Sequence, residues 1–299
     1  MDPDVLVIGE SLIDIVRRPG CGPQRFPGGS PLNVAVGLGR LGRHPRLATW
    51  FGPDESGRLI ADHCAESDVS LLPGSDQAPR TSTADATIDA QGHARYVFDI
   101  DWRMPPIHDA DAVLVHTGSI GALVEPGATQ VLELVESARA FVTFDPNCRP
   151  SVMGDPATVV AKVERYVAAC DLVKVSDEDL AWLYPETIDQ GPENQLRRWL
   201  DMGPRAVVLT QGSGGALALT RSAESHVPAD TSHGLVDTVG AGDSFMAGLI
   251  HGILSWGPPA DEVFTDPGIL RAILAQAATI SGITVSRAGA NPPWLTEMR

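Results

Sequence analysis

Short apolar runs and longer amphipathic segments take turns along the 299-residue chain. Runs such as residues 5–8 and 206–209 are apolar throughout, which is typical of strands buried on both faces of a parallel sheet. In the segments between them, apolar residues recur at helical spacing. The pattern predicts an α/β fold with a mainly parallel central sheet and helices on both faces. The predicted strands are 5–8, 47–51, 112–116, 141–144, 172–175, 206–209 and 216–219, and the predicted helices are 30–41, 56–67, 128–140, 157–169, 177–183, 193–202, 240–255 and 269–281.

Two β-like runs, residues 81–89 and 94–100, interrupt this alternation. The dipeptide Gln91-Gly92 between them predicts a hairpin turn. We therefore expect a small β flap outside the main sheet. The expected organisation is one domain over residues 1–299, with the flap formed by about 12–27 and 80–102.

Residues 237–245 read Asp-Thr-Val-Gly-Ala-Gly-Asp-Ser-Phe and stand where a loop enters a predicted helix. The first amides of a helix lack internal partners, and the helix dipole adds about half a positive charge there. Gly240, Ala241 and Gly242 therefore predict a phosphate-binding helix start. Asp243 lies in the first helical turn. It is placed either as a capping acid or as a base beside a bound phosphoryl group.

A second glycine-rich segment, Gly28-Gly29-Ser30-Pro31-Leu32-Asn33, opens an earlier predicted helix. Ser30 can cap this helix, and Pro31 suits its first turn. The amide of Asn33 can both donate and accept hydrogen bonds. Together with the exposed backbone at the two glycines, it suits a ligand with several hydroxyl groups.

Composition and charge exclude several classes of function. The net charge of −16 and the pI of about 4.8 argue against nucleic acid or an anionic membrane as a partner. Four cysteines without a C-x-x-C pair predict reduced thiols in a cytoplasmic protein. We identify neither a signal peptide nor an 18-residue apolar span, which also favours a cytoplasmic protein.

Known cofactor motifs are absent or misplaced in the sequence. Residues 37–42 match G-x-G-x-x-G, but they lie along a predicted helix instead of following a strand, so we reject a dinucleotide site. The chain has no Gly-Lys dipeptide for a P-loop. Its eight histidines are scattered and predict no metal cluster.

The two glycine-rich segments resemble the signatures of the ribokinase-like carbohydrate kinases, the phosphofructokinase B family. Residues 28–42 resemble the N-terminal signature, and residues 237–245 the C-terminal one. Residues 144–150, 174–179 and 210–215 resemble the Asp-Pro-Asn-x-Arg segment of fructokinases, the Asn-x-x-Glu segment and the nucleotide loop. The resemblance implies a three-layer α/β/α sandwich with a β lid. It also implies an ATP-dependent kinase that phosphorylates a primary hydroxyl of a small sugar.

The resemblance also implies roles for individual residues. Asp243 is expected to be the catalytic base, with the amides of Gly240, Ala241 and Gly242 meeting the transferring phosphoryl group. The residues expected at the sugar are Asp14, Gly28, Gly29, Asn33, Tyr96, Phe98, Asn147 and Arg149. Those expected at the nucleotide are Lys174, Ser176, Thr210, Gly212 and Gly215. For metals, Asp179 is expected to serve the Mg²⁺ of ATP, and Asp237, Val239, Thr284, Arg287 and Gly289 a monovalent cation such as K⁺.

Several alternatives stay open at this point. Fructose is the expected sugar, with ribokinase and 2-keto-3-deoxygluconate kinase as rivals. A keto acid would need an arginine for its carboxylate, and Arg95, Arg103 and Arg149 are the candidates. A nucleoside kinase would differ in the flap, and a non-catalytic sugar sensor would not need Asp243. The resemblance also implies a homodimer formed through the flaps.

Overall fold

The computed structural model describes residues 4–17, 22–88, 94–108, 111–257 and 260–298, with the side chains of residues 88 and 94–96 outside the description. The strands are β1 Val5–Ile8, β2 Leu12–Arg17, β3 Gln24–Gly28, β4 Arg46–Ala48, β5 Ser70–Leu71, β6 Thr83–Ile88, β7 Ala94–Asp99, β8 Leu114–Gly118, β9 Phe141–Asp145, β10 Leu172–Ser176, β11 Ala206–Thr210, β12 Ala216–Thr220 and β13 Glu224–Val227. The helices are α1 Ser30–Arg40, α2 Glu55–Glu66, α3 Ser119–Leu123, α4 Gly127–Ser137, α5 Pro150–Met153, α6 Pro156–Ala169, α7 Asp177–Leu183, α8 Thr187–Gln190, α9 Glu193–Met202, α10 Ala241–Ser255, α11 Glu262–Thr265 and α12 Pro267–Val285, with short 3₁₀ turns at Gly212–Gly214 and Leu295–Glu297.

Within the described residues, nine strands form the central sheet in the order β13-β12-β11-β10-β9-β8-β1-β4-β5. The pairings from β11 through β5 are parallel, and β12 and β13 add an antiparallel edge. The mainly parallel sheet predicted from the sequence is therefore confirmed. Every parallel strand ends at the same edge, where ligands bind in folds of this kind.

Side chains alternate across each strand and so divide the core into two layers. In β1, Val5 and Val7 pack with α1, α2, α10, α11 and α12 on one face of the sheet. Leu6 and Ile8 pack with α3, α4, α6, α7 and α9 on the other face. The fold is thus the expected three-layer α/β/α sandwich.

The predicted strand 47–51 is too long, because β4 ends at Ala48. Beyond it, the Phe51 amide donates to the Ser75 carbonyl at 2.8 Å, and the Phe51 carbonyl accepts the Ala78 amide at 3.1 Å. These bonds draw the chain out of the sheet and towards the segment that follows β5.

A second sheet of four strands lies outside the central one, in the order β3-β2-β6-β7. Three of its strands fall within the ranges from which the flap was predicted, and β3 runs one residue beyond, to Gly28. We call this sheet the lid. The turn predicted at Gln91-Gly92 lies outside the described residues.

Helix α12 corrects the expectation that the chain lacks an apolar span of 18 residues. By length and composition alone it is able to cross a membrane, although half of its most apolar 18-residue window is buried inside the structure. It packs against α10 so closely that a Cβ on Gly248 would lie 2.8 Å from the Cα of Ala277. The buried half of this helix therefore belongs to the core of the fold.

Candidate active site

The candidate site lies at the carboxyl edge of the central sheet, where the first turns of α1 and α10 meet. Asp14 lies in β2, the lid strand that comes next after β1 in the chain. Asn147 lies two residues after the end of β9. Ser176 and Thr210 are the last residues of β10 and β11. All four were expected beyond strand ends, which holds only for Asn147. Asp14 lies inside β2 of the lid, and Ser176 and Thr210 still belong to their strands.

The Asp243 carboxylate joins the two glycine-rich segments that the sequence singled out. Asn33 Nδ2 donates to one of its oxygens at 2.8 Å, and the Ser30 hydroxyl donates to the other at 2.7 Å. Asn147 Nδ2 also donates to it, over a longer 3.4 Å. The expectation that Ser30 caps α1 is wrong, because the N-cap is Gly29 and its cap makes no side-chain hydrogen bond.

Two carboxyl groups at this site have raised pKa values. Burial raises the pKa of Asp243, with hydrogen bonds from Asn33 and Ser30 opposing the rise. Burial also raises the pKa of Asp14 to about 6, which Arg149 opposes and the charge of Asp243 reinforces. A carboxylate with a raised pKa is a better proton acceptor than an exposed one. Asp243 therefore has the electrostatics of a general base.

The start of α10 depends on a glycine at its N-cap. Gly240 has a φ of 77°, and a Cβ there would lie 2.6 Å from the Cβ of Ala290. The Ala241 amide is not bare as expected, since it donates to the Thr238 carbonyl at 3.2 Å. The amides of Gly242 and Asp243 follow in the first turn of the helix, where amides have no partner within the helix. They therefore have the geometry of an anion site.

Gly28 and Gly29 allow the chain to approach the site closely. A Cβ on Gly28 would lie 2.1 Å from a carboxylate oxygen of Asp14. Gly29 has a φ of 109°, and a Cβ there would lie 2.6 Å from the Glu10 carbonyl oxygen. Gly29 therefore requires glycine, and a side chain at Gly28 would displace the Asp14 carboxylate, which fits the expected place of both beside the sugar.

The register of the lid puts Asp14 and Phe98 on the same face. Asp14 pairs with Ala84 across β2 and β6, and Ala84 pairs with Phe98 across β6 and β7. Tyr96 is two positions from Phe98 along β7, so its register position is on this face as well. Its side chain lies outside the description.

Among the candidate arginines whose side chains are described, which leaves out Arg95, Arg149 is the one placed at the site. Its Nη1 donates to the side-chain oxygen of Asn147 at 2.6 Å, which turns the Asn147 amide nitrogen towards Asp243. Its charge opposes the raised pKa of both Asp14 and Asp243. Arg103 instead lies 3.8 Å from Asp101 with 64% of its side chain exposed.

Lys174 forms a buried ion pair beneath the start of α10. Its Nζ lies 2.6 Å from a carboxylate oxygen of Asp145, and the two side chains are 3% and 1% exposed. A Cβ on Gly242 would lie 3.4 Å from the same Nζ. The ammonium group therefore lies next to the anion site. This position is compatible with the expected role of Lys174 at the nucleotide, although the ion pair that Lys174 makes in the structure is with Asp145.

Asp179 is buried beside this ion pair. One of its oxygens accepts the Cys148 amide at 2.8 Å, and burial together with the nearby charge of Asp145 raises its pKa. Within the described part of the chain, no three His, Cys, Asp or Glu side chains converge to hold a metal ion. Asp179, the acid expected to serve Mg²⁺, therefore has no preformed cage of such side chains around it in the described residues.

Comparison with known proteins identifies the family. The pfkB family of carbohydrate kinases matches residues 2–297. The chain belongs to this family. It is 31% identical to a fructokinase of Klebsiella pneumoniae over 304 residues, which cover 97% of this chain and 95% of that protein.

Solved structures agree with the family assignment. The crystal structure of fructokinase from Xylella fastidiosa has a TM-score of 0.85 at 26% identity and covers 100% of this chain and 98% of that one. Fructokinase from Vibrio cholerae O395, solved in a fructose, ADP and calcium ion bound form, has a TM-score of 0.77 at 25% identity and covers 96% of this chain and 94% of that one. The protein is an ATP-dependent sugar kinase.

The segment expected to hold the nucleotide is a tight turn in this kinase. It joins β11, which ends at Thr210, to the antiparallel β12. Gly212 has a φ of 51° and Gly215 a φ of 90°, and a Cβ on Gly215 would lie 2.1 Å from the Val227 carbonyl oxygen. Ser176 uses its hydroxyl to cap α7, where it accepts the Asp179 amide at 3.0 Å.

The residues expected at a monovalent cation are partly brought together. The Asp237 carboxylate accepts the Gly289 amide at 2.9 Å and the Val239 amide at 3.1 Å. The Thr284 hydroxyl donates to the Ile280 carbonyl at 2.8 Å. The Arg287 side chain turns away to pair with Glu297 at 2.7 Å. If a cation binds here, main-chain carbonyls must supply most of its ligands.

Sequence reasoning missed two contacts of the candidate site, that of Ser30 with Asp243 and that of Asp145 with Lys174. Ser30 was assigned to a helix cap, and no sequence signal shows which long-range acceptor its hydroxyl reaches. Asp145 had a signal that was not used. Lys174 stands in an otherwise apolar strand, and a buried lysine needs an acidic partner, which Asp145 supplies from the end of the neighbouring strand.

Proposed function

We propose that this kinase transfers the γ-phosphate of ATP to a primary hydroxyl of fructose. The observation that carries the proposal is the contact between Asp243, at the start of α10, and Asn33, in the segment expected to bind sugar. It puts a basic carboxylate between an anion site and a polyhydroxyl site. The choice of fructose rests on the similarity to the fructokinases named above.

Asp243 is the proposed general base. A carboxylate has about four lone-pair positions, and Ser30, Asn33 and Asn147 occupy three of them. The fourth accepts the proton of the sugar hydroxyl while its oxygen forms a bond to the γ-phosphorus. The bond from that phosphorus to the bridging oxygen breaks, and ADP leaves.

The amides at the start of α10 are the proposed electrostatic partners of the transferring group. Phosphoryl transfer depends mostly on positioning and on stabilising the charge of the phosphoryl oxygens. The amides of Gly242 and Asp243 supply fixed dipoles there, and Lys174 adds a positive charge beneath them. Gly240 and Ala241 shape the turn that presents these amides.

The proposed sugar site is formed by two layers. Asp14 and Phe98 approach from the lid, and Asn33 and Arg149 from the central sheet. Gly28 and Gly29 leave room between the layers. Closure of the lid would exclude water, which otherwise competes with the sugar hydroxyl for the phosphoryl group.

The nucleotide is proposed to lie across the turn from Thr210 to Gly215 and the start of α10, with Mg²⁺ on its phosphates. Mg²⁺ commonly binds one or two carboxylates together with phosphates and waters. Asp179 already accepts hydrogen bonds from the Cys148 amide and the Ser176 side chain, so we propose it as one of only a few protein ligands of Mg²⁺. A bound Mg²⁺ would neutralise phosphate charge. We further propose K⁺ as an activator near Asp237.

A coupled assay of ADP release tests the proposal. The substrates are fructose, ribose, 2-keto-3-deoxygluconate and adenosine, each with ATP and Mg²⁺, and with or without K⁺. We expect the highest kcat/KM with fructose, and a higher rate with K⁺. A preference for another acceptor would overturn the choice of fructose, and no ADP release with any acceptor would favour a sugar sensor.

We further propose that the kinase is a homodimer in the cytoplasm. Light scattering tests the homodimer, and fractionation of cells tests the cytoplasmic location.

A further inference from the structure

The chain passes between the central sheet and the lid at several points, and two of these crossings are bound to one residue. Glu10 lies on the first crossing, between β1 and β2, and Trp102 lies on the last, between β7 and β8. Both side chains are buried, with 3% and 2% exposed. Gly121, in α3, is their common partner.

The two side chains bind the two ends of this glycine. The Gly121 amide donates to Glu10 Oε2 at 2.7 Å, and the Gly121 carbonyl accepts Trp102 Nε1–H at 2.9 Å. The contact is close enough that a Cβ on Gly121 would lie 2.5 Å from the Cα of Gly9. The main chain of α3 is therefore pressed against the first crossing, and only glycine fits.

The same cluster reaches a third crossing and the site itself. A Cβ on Gly29, between β3 and α1, would lie 2.6 Å from the Glu10 carbonyl oxygen. Ser119, two residues before Gly121, hydrogen-bonds Glu10, and its hydroxyl also lies 3.4 Å from the Asn147 carbonyl. A chain of contacts thus runs from the lid crossings to the neighbours of Asp243.

We infer that Glu10 and Trp102 are positioning residues which, by holding the Gly121 peptide, set where the lid presents Asp14 and Phe98 over the sugar. This inference rests on the proposed function. Asp14 follows Glu10 by four residues, and Phe98 precedes Trp102 by four. Small displacements at the crossings therefore pass directly to the two lid residues expected at the sugar.

The chemistry of Glu10 fits a role that needs a fixed acceptor. Burial raises its pKa to about 7, and the bonds from Gly121 and Ser119 and the charge of Arg149 oppose that rise. Buried carboxyl groups with strongly raised pKa values are concentrated at functional sites, where they make a specific contact. The acceptor that Glu10 offers to the Gly121 amide is that contact.

Steady-state kinetics of three variants test the inference. Glu10→Ala removes the acceptor, Trp102→Phe removes the N–H while keeping an aromatic ring, and Glu10→Gln keeps an acceptor oxygen. We expect Glu10→Ala and Trp102→Phe each to raise the sugar KM by about tenfold, with the ATP KM within about twofold of wild type. Glu10→Gln should stay within about threefold of wild type for the sugar KM.

Two further readouts separate positioning from general stability. ATP hydrolysis without sugar should rise in Glu10→Ala and Trp102→Phe, because a misplaced lid admits water. Their combined effect on the sugar KM should be less than the product of the single effects, since both act on the main chain of one residue. Trp199→Phe is the matched control, because buried Trp199 also loses an Nε1–H bond, to Tyr184 at 3.2 Å, far from the lid.

Hydrogen exchange gives a readout that does not depend on the sugar. We expect amides in residues 12–17 and 83–88 to exchange about tenfold faster in Trp102→Phe than in Trp199→Phe. If wild type phosphorylates no sugar but this exchange difference is found, the proposed function fails and the positioning role stands. If wild type is active, and exchange and sugar KM in Trp102→Phe match those of Trp199→Phe, the positioning role is overturned.

Discussion

Asn33 Nδ2 donates to the carboxylate of Asp243 at 2.8 Å, across a sequence separation of 210 residues. Asn33 lies in the first turn of α1, and Asp243 in the first turn of α10. The two helices pack on the same face of the central sheet. The sheet therefore delivers the amide proposed to bind sugar and the carboxylate proposed as general base to one point, on which the proposed mechanism depends.

Replacing Asp243 by Asn should remove the general base while keeping its shape. We expect kcat to fall by at least about 100-fold with little change in sugar affinity, because a positioned base typically contributes about 10²–10⁴-fold. The assay is ADP release at saturating ATP and fructose. Asp230→Asn, in an exposed carboxylate that accepts the Ser232 hydroxyl, is the control and should turn over normally. Near-normal turnover in Asp243→Asn would remove this residue from the chemistry.

The buried pair of Lys174 and Asp145 should matter for both folding and catalysis. Lys174→Met leaves Asp145 buried without its partner, and we expect a loss of about 3–5 kcal/mol in the free energy of unfolding. Adding Asp145→Asn removes the stranded charge and should restore much of that stability. Denaturant unfolding measures both variants.

Activity of the double variant decides whether Lys174 also serves the phosphate. We expect the folded Lys174→Met/Asp145→Asn protein to remain well below wild type in kcat, because the positive charge beneath Gly242 is gone. Full activity in this variant would show that the ion pair is only structural.

The sequence predicted the elements well where their patterns were long or wholly apolar. The parallel strands and the major helices matched to within a few residues. Short elements were missed: β5 has two residues, α3 five and β13 four, too few for a hydrophobic period to emerge. Of these, α3 carries Gly121, so a contact that holds the lid lay in a segment without a predicted element.

The sequence predicted which residues lie at the candidate site, but not which of them hydrogen-bond to one another. Ser30 shows why: its position before a helix predicts a cap, whereas the fold offers it the Asp243 carboxylate instead. Tertiary packing decides whether the Ser30 hydroxyl accepts from a helix amide or donates to Asp243, and packing is not encoded in local spacing. The Ala241 amide is a similar case, because the turn at Thr238 engages it before any ligand arrives.

Substituting Gly240 tests the shape of the helix start. Gly240→Ala combines a φ of 77° with a Cβ 2.6 Å from that of Ala290, so the turn must shift and its amides with it. We expect kcat to fall by at least about tenfold and the ATP KM to rise. Gly234→Ala is matched to it, since Gly234 has a φ of 79° and open space around its Cβ position. That control should lose about 1 kcal/mol of stability and keep its activity. Equal activity in the two variants would contradict the role given to the start of α10.

Glu10 should make stability depend on pH. Its pKa is about 7 in the folded protein, above its ordinary value of 4.5, so the folded state holds the proton more tightly than the unfolded state. The contribution is fully present below pH 4.5 and is lost as the pH rises through 7. Relative to Glu10→Gln, wild type should therefore lose about 3 kcal/mol across this range. Chemical denaturation of both proteins from pH 4.5 to 8 measures the difference, and a difference that does not change with pH would contradict the raised pKa.

A crystal structure with fructose and a non-hydrolysable ATP analogue tests the central claim most directly. We predict that a primary hydroxyl of fructose lies within about 2.6–3.2 Å of a carboxylate oxygen of Asp243. We also predict that the terminal phosphate contacts the amides of Gly242 and Asp243. Phosphates bound away from this helix start, or a sugar that leaves Asp243 with only its contacts to Ser30, Asn33 and Asn147, would contradict the account.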